Sequence, residues 1–279
     1  MSEAAPGSSP DVRAELRRAI TALGSPSGGA RAITSDLSVD EALLLHSVGW
    51  EPVELVCGVG VGSVPWGVWN WGQGEIGVAS AAFSLAFSGA AQRIADECAR
   101  AGGHGVVGVH VDTDVERHHI DVELVGTAVR PVAAARPGQI FVSDLSGRDF
   151  SLLVQAGWTP VGLAFGASFV YVPRRSAGTS LTQTRQNVEL TNFTQAMYSA
   201  RELAMARMQD AAVRMKGKGI VAVMVTEGPM PFAHHAIGFS AWGTAVRLDA
   251  PSHRHLRPQV VLPVDDAVVQ FEAESLRGR

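Results

Sequence analysis

Cysteine is nearly absent from this chain. Cys57 and Cys98 are the only two in 279 residues. That excludes a disulfide framework and a four-cysteine zinc site, and fits a reducing cytoplasm. Charge is also scarce. Charged residues make up 18%, with 23 Lys and Arg against 27 Asp and Glu, for a formal charge of −4. No basic run is present, so nucleic acid is not an expected partner. Long apolar runs are missing too. The longest stretch, residues 76–91, is interrupted by Ser80, Ser84 and Ser88 and falls short of the roughly 20 residues a membrane span needs. It reads as a buried helix, with membrane contact the lesser reading. The first residues, MSEAAPGSSPDVRAELRR, contain no apolar leader core, so a cytoplasmic location is expected. Ser-His-Asp, Cys-His, metalloprotease and nucleotide-binding signatures are all lacking. What remains is 46% hydrophobic, enough for a sizeable core in one large domain or two ordinary ones.

The chain does contain a repeat. Residues 33–65 align without a gap on residues 141–173, and fourteen of the 33 positions are identical. The Ser-Asp-Leu-Ser run recurs at Ser35–Ser38 and Ser143–Ser146, and Gly49-Trp50 recurs as Gly157-Trp158. Further on, GHGVVGV at 103–109 matches GKGIVAV at 217–223, and GTAVR at 126–130 matches GTAVR at 243–247. The order is the same in both halves, and the offset grows from 108 to 114 to 117 through small insertions.

Periodicity assigns the elements. Residues 39–48 form a short helix begun by Ser35-Asp36 or Ser38 and stopped by Gly49; Asp36 and Asp144 read as helix-start capping residues. Valine-rich 54–61 and 162–172 read as strands. A long helix spans about 78–101, with Phe83, Ala86, Ala90 and Ile94 on one face. Its counterpart carries Phe193, Met197, Ala200, Ala204, Met208, Ala211 and Met215 at spacings of three and four. Two strands follow each helix, 106–112 and 118–129, then 220–226 and 235–248. The fold class is therefore α+β, a tandem duplication of a strand, long helix and β-hairpin unit. The expected organisation is a flexible segment 1–32 with a helical run at 12–23, a first domain 33–131, a second domain 132–248, and a tail 249–279 with a strand at 259–263 and a terminal helix.

Gly103, Gly105 to Val109 and Gly126 to Val129, with Gly217, Gly219 to Val223 and Gly243 to Val246, carry a resemblance to the YbjQ-like family, known as a heavy-metal-binding domain. It covers about 45–131 and 153–248. The resemblance implies a dodecin-like α+β unit and a ring-forming homo-oligomer, commonly a pentamer, in bacterial proteins that are mostly single domains. Two units per chain depart from that pattern: a five-chain ring would hold ten. So does the Pro65-Trp66-Gly67-Val68-Trp69-Asn70-Trp71 loop.

The candidate metal ligands are His110, His118, His119, His234 and His235, with a divalent or heavy metal ion as the implied cofactor. Adjacent strand residues face opposite ways, so neither His118-His119 nor His234-His235 chelates one ion alone. Alignment on GTAVR places His118 over His235, and His119 over Ala236. A hairpin turning near 113–116 would set His110 opposite His119, within reach of one ion; the equivalents in the second half are Met224 and Ala236. His253 and His255 fall in a loop. Cys98 lies on a buried helix face. Trp50 and Trp158 recur and read as core, whereas Trp66, Trp69 and Trp71 are candidates for a ligand site or an interface. Met197, Met205, Met208 and Met215 read as core. The glycine runs follow helices, the wrong polarity for binding phosphate. The leading functional expectation is a non-enzymatic, ring-forming scaffold or small-ligand binder. The alternatives are a metal-binding or metal-responsive protein and a membrane-associated assembly using the tryptophan loop.

Overall fold

A computed structural model describes residues 33–65, 74–116, 118–133, 139–172, 191–230 and 233–254. The chain divides into Met1–Ile33 and Thr34–Arg279, and the second unit holds every element below. The elements run α1 (Val39–Ser47), β1 (Trp50–Ser63), α2 (Gly77–Arg100), β2 (Gly105–Glu116), β3 (His119–Pro131), β4 (Phe141–Val142), α3 (Gly147–Gln155), β5 (Trp158–Tyr171), α4 (Thr191–Arg214), β6 (Gly219–Met230) and β7 (Ala233–Leu248). The expected helical run at 12–23, the strand at 259–263, the terminal helix, Trp66, Trp69, Trp71 and His255 lie outside the described residues.

Two sheets form, ordered β1-β3-β2-β4 and β5-β7-β6. In each, the strand before the long helix and the first strand of the hairpin after it both pair antiparallel with the last strand of that hairpin. Both break register at the same places, between Pro52 and Glu54 or Pro160 and Gly162, and between Val107 and His110 or Val221 and Met224. Proline cannot donate to a ladder, which fits a break at each Pro-Val pair. At the second break Gly108 adopts φ +64° and its counterpart Ala222 φ +54°.

Each long helix packs on its own sheet. Against α2, β1 presents Gly58, Gly60 and Gly62; a Cβ at Gly60 would meet the Ala86 carbonyl oxygen at 1.9 Å. Those glycines let the helix and strand backbones nearly touch. On α4 the buried stripe is Ala196, Ala200, Ala204, Met208 and Ala212. The expected face was turned slightly wrong: Phe193 and Met197 are exposed, Met205 is half-buried, and small alanines make the sheet contact. The close approach decides this, since a Cβ at Gly166 would meet the Ala204 carbonyl oxygen at 2.0 Å.

Ser38 and Ser146 cap α1 and α3, accepting the Glu41 and Asp149 N–H groups. Asp36 and Asp144 do not. Thr127 Oγ1 donates to Asp36 Oδ1, and Thr244 Oγ1 donates to Asp144 Oδ1, both at 2.5 Å. Ser35 Oγ and Ser143 Oγ stand 3.2 and 2.9 Å from the same threonine hydroxyls. The recurrence of Ser-Asp-Leu-Ser and of Gly-Thr-Ala-Val-Arg thus has one cause: each Ser-Asp clasps the threonine of its own half.

Candidate functional interface

The most extensively built surface in the fold is the joint between the two halves. Helix α2 is buried on both sides. One side meets β1; the other meets the outer face of β5, where Phe87 stacks on Phe165 with ring centroids 3.9 Å apart and Phe83 lies 5.2 Å from Phe165 and 5.9 Å from Phe169. This explains the apolar stretch at 76–91: Ala79, Ala82, Phe83, Ala86, Phe87 and Ala90 serve two sheets at once. No described helix is long and apolar enough to cross a membrane.

The backbone crosses the joint as well. Strand β4 adds in parallel to the β2 edge, Gly105 to Phe141 and Val106 to Val142. Ser143 N–H donates to the Val106 carbonyl at 2.9 Å, Val109 N–H to the Ser143 carbonyl at 3.0 Å, and Gly108 N–H to the Leu145 carbonyl at 2.7 Å. The left-handed Gly108 aims that amide outward. Residues 141–145 therefore join the first sheet by backbone while Ser143 and Asp144 hold Thr244 of the second by side chain. On the far side, Ile76 N–H donates to the Phe169 carbonyl, and Glu75 receives the Arg207 guanidinium from α4. The hydrogen bonds from Arg207 and Ser80 hold the Glu75 carboxyl below its usual range against the opposing effect of burial, which is the largest single influence. Asp144 goes the other way: burial pushes its pKa up to about 6, although the Thr244 hydroxyl favours the charged form.

The strand register places the candidate histidines individually. The ladder does not turn near 113–116 as expected but runs on to Glu116 opposite His119, with Asp112, Thr113 and Asp114 paired to Glu123, Val122 and Asp121. His110 consequently faces Val125, not His119, and His119 faces Glu116. His118 and His235 do occupy equivalent places: their carbonyls accept the Val64 and Val172 N–H groups at 2.8 and 2.7 Å. His234 lies in the same strand, β7. Among the described residues, no three of His, Cys, Asp or Glu stand together as metal ligands.

Sequence reasoning missed two features. One is a cleft of about 700 Å³ at the joint, lined by Trp50, His104, Phe141, Arg214, Lys216 and Arg247 among others. Both ring nitrogens of His104 are buried there without a hydrogen-bond partner. The other is the β4 addition, for which a two-residue strand leaves little periodic signal. Trp50 and Phe150, rings 5.4 Å apart, pack there as expected of a recurrent core tryptophan. Cys98 is buried, and burial pushes its thiol up to about 11, which makes it inert.

Comparison with known proteins gives a curated relative and a family model. The encapsulin nanocompartment protein Rv1762c of Mycobacterium tuberculosis (strain ATCC 25618 / H37Rv) is 37% identical over 247 residues, covering 84% of this chain and 93% of that protein. The chain belongs to the family of that protein. The YbjQ family model, described as "Putative heavy-metal-binding", matches residues 175–249, which include α4, β6 and β7. It does not extend to the first half, where the likeness rests on the internal repeat. No solved structure matches.

Proposed function

We propose that this protein is a structural, self-assembling component: a tandem duplication of the YbjQ-like unit, bounded at 33–131 and 132–248, that closes into a pentamer-type ring of ten units. The observation carrying this reading is the uncovered apolar outer face of β1, where Leu55, Val59 and Val61 are 40–59% exposed in a single chain. A continuous patch of this kind on a sheet marks an interaction surface. The relative's designation as a nanocompartment protein supports a role in such an assembly. The cleft beside His104 is where a small ligand would bind, its basic rim of Arg214, Lys216 and Arg247 favouring an anion. Trp66, Trp69 and Trp71 are proposed as a further part of a ligand or contact surface on their aromatic chemistry.

Native mass spectrometry of untagged protein, before and after a chelator, tests this. The expected result is one ring mass, unchanged by chelation and free of bound metal. A single-chain mass overturns the assembly. A metal adduct of fixed stoichiometry, lost together with the assembly, returns His110, His118, His119, His234 and His235 to the role of ligands.

A further inference from the structure

Several surfaces buried at the joint have sequence-equivalents that are exposed among the described residues. Leu163, Phe165, Ala167 and Phe169 of β5 lie against α2, and their equivalents on β1 are Leu55, Cys57, Val59 and Val61, all exposed. Helix α2 meets β5 through Phe83, Phe87 and Ala91; the same positions of α4 are Met197 and Arg201, both exposed, and Met205, half-buried. Ser143 and Leu145 are buried at the β2 edge, while Ser35 is exposed and Leu37 half-buried. The corresponding β6 edge, with Val223, Met224 and Val225 39–56% exposed, has no neighbour among the described residues. Ala222 nevertheless keeps the left-handed turn of Gly108. An alanine held there is strained, and its amide points where Gly108 donates to a passing strand.

We infer that the occupant of these surfaces is a second copy of this chain, joined head to tail by a near-repeat of the internal joint. This rests on the assembly proposed above. Residues 34–37 of one copy add along the β6 edge of its neighbour, where Ala222 and Val223 N–H donate to the Leu37 and Ser35 carbonyls. The β1 outer face of that same copy covers α4 of that same neighbour. Both contacts run from the second half of one copy to the first half of the next, so a single placement satisfies them together. Such a contact is heterologous; it propagates around a ring rather than closing as a two-fold pair. Strand addition of this kind also removes an open sheet edge.

The full chain carries its own probe. Phe165 and Phe87 stack in the internal joint, and their equivalents are Cys57 and Arg201. The Arg201→Cys variant, treated with a short bismaleimide, is expected to give a ladder of covalent trimers and larger species on a denaturing gel. The ladder disappears when Cys57→Ser is added. Cross-linked dimers and nothing larger would indicate a two-fold contact and overturn the inference; so would no cross-link in protein whose native mass shows an oligomer. A wild type that is a single chain overturns the assembly itself, a different failure. Independently, Val59→Glu with Val61→Glu changes only exposed positions. It is expected to leave the far-ultraviolet dichroism unchanged and reduce the native mass to one chain. An unchanged ring mass in that variant refutes the β1–α4 contact.

Discussion

The two halves share the same strands, helices and register breaks, yet they solve the helix–strand contact differently. At β1 the inward positions are Gly58, Gly60 and Gly62; at β5 they are Gly166, Ser168 and Val170. Three glycines bring α2 against β1 so tightly that no Cβ fits at any of them. In the second half, the Ser168 hydroxyl donates to Glu75 Oε1 at 3.2 Å instead. The tight contact belongs to the helix that is sandwiched between two sheets, where any outward shift would strain the far side as well. Gly60→Ala is therefore expected to produce the largest effect among single changes. It adds a Cβ against backbone that cannot rotate away, at a cost of about 3 kcal/mol. Ser168→Ala, at the equivalent place, removes one hydrogen bond and costs about 1 kcal/mol. Urea unfolding of both variants measures the ratio, and equal losses would mean that the two contacts are equivalent after all.

The two threonine clasps differ in the same direction. Thr127 and Thr244 are both fully buried. Asp36 is exposed, however, while Asp144 is largely enclosed between the halves. Replacing Thr244 by Val leaves a desolvated carboxylate short of its donor, at a cost of about 2–3 kcal/mol. Replacing Thr127 by Val leaves a carboxylate that water can reach, at about 1 kcal/mol. Equal destabilisation in thermal melts would remove the distinction.

Asp144 also gives the comparison a pH signature. Burial raises its folded pKa above 3.8, to about 6. Its contribution to stability is therefore complete below about pH 4 and is lost as pH rises through about 6. At about 1.4 kcal/mol per pH unit, the full loss is about 3 kcal/mol, most of it above pH 4. Glu75, Glu41 and Asp249, whose values are lowered, oppose it in the wild type, so the difference curve between wild type and Asp144→Asn is the quantity to follow. It should shift by about 2 kcal/mol between pH 4 and 6.5, with the variant the more stable at the upper end. A flat difference would show that water reaches Asp144.

Much of this architecture is legible in the chain. The α+β class, the element order and the equivalence of His118 with His235 follow from repeat alignment, because identical segments in identical order must build similar ladders. The hairpin register was not legible. Asp112, Thr113 and Asp114 have turn-forming composition, but the ladder retains them, because Val111 and Val115 face Leu124 and Ile120 across it. That longer ladder sets His110 opposite Val125 and His119 opposite Glu116, so the two do not face each other. The Asp36 and Asp144 clasps were hidden for another reason. A Ser-Asp before a helix satisfies the capping rule locally, and only the fold brings Thr127 and Thr244, about a hundred residues away, to claim the carboxylates instead.

The smallest expected effect concerns Glu41. Its Oε2 accepts from the Ser38 N–H at 2.9 Å, completing the capping box of α1. Its Oε1 reaches the N–H of Gly147, the first residue of α3, at 3.1 Å. One carboxylate thus serves the starts of two helices, where negative charge is favoured. The bond to the Ser38 backbone holds its pKa below the usual glutamate value, so this contribution is present at neutral pH and fades as pH falls below about 4.5. The counterpart Asp149 is one methylene shorter and accepts from Ser146 Oγ at 2.8 Å, within its own helix start. Glu41→Ala is expected to cost about 1 kcal/mol, Asp149→Ala about half as much in the isolated chain. In the head-to-tail assembly Asp149 stands where Glu41 stands in the internal joint, facing the start of α1 in the next copy. Its substitution should therefore cost more in the ring than in the Val59→Glu, Val61→Glu single chain, whereas the Glu41 effect stays the same in both. Melting the two variants in each background reads this difference, and an identical Asp149 effect in both would break the correspondence at that point.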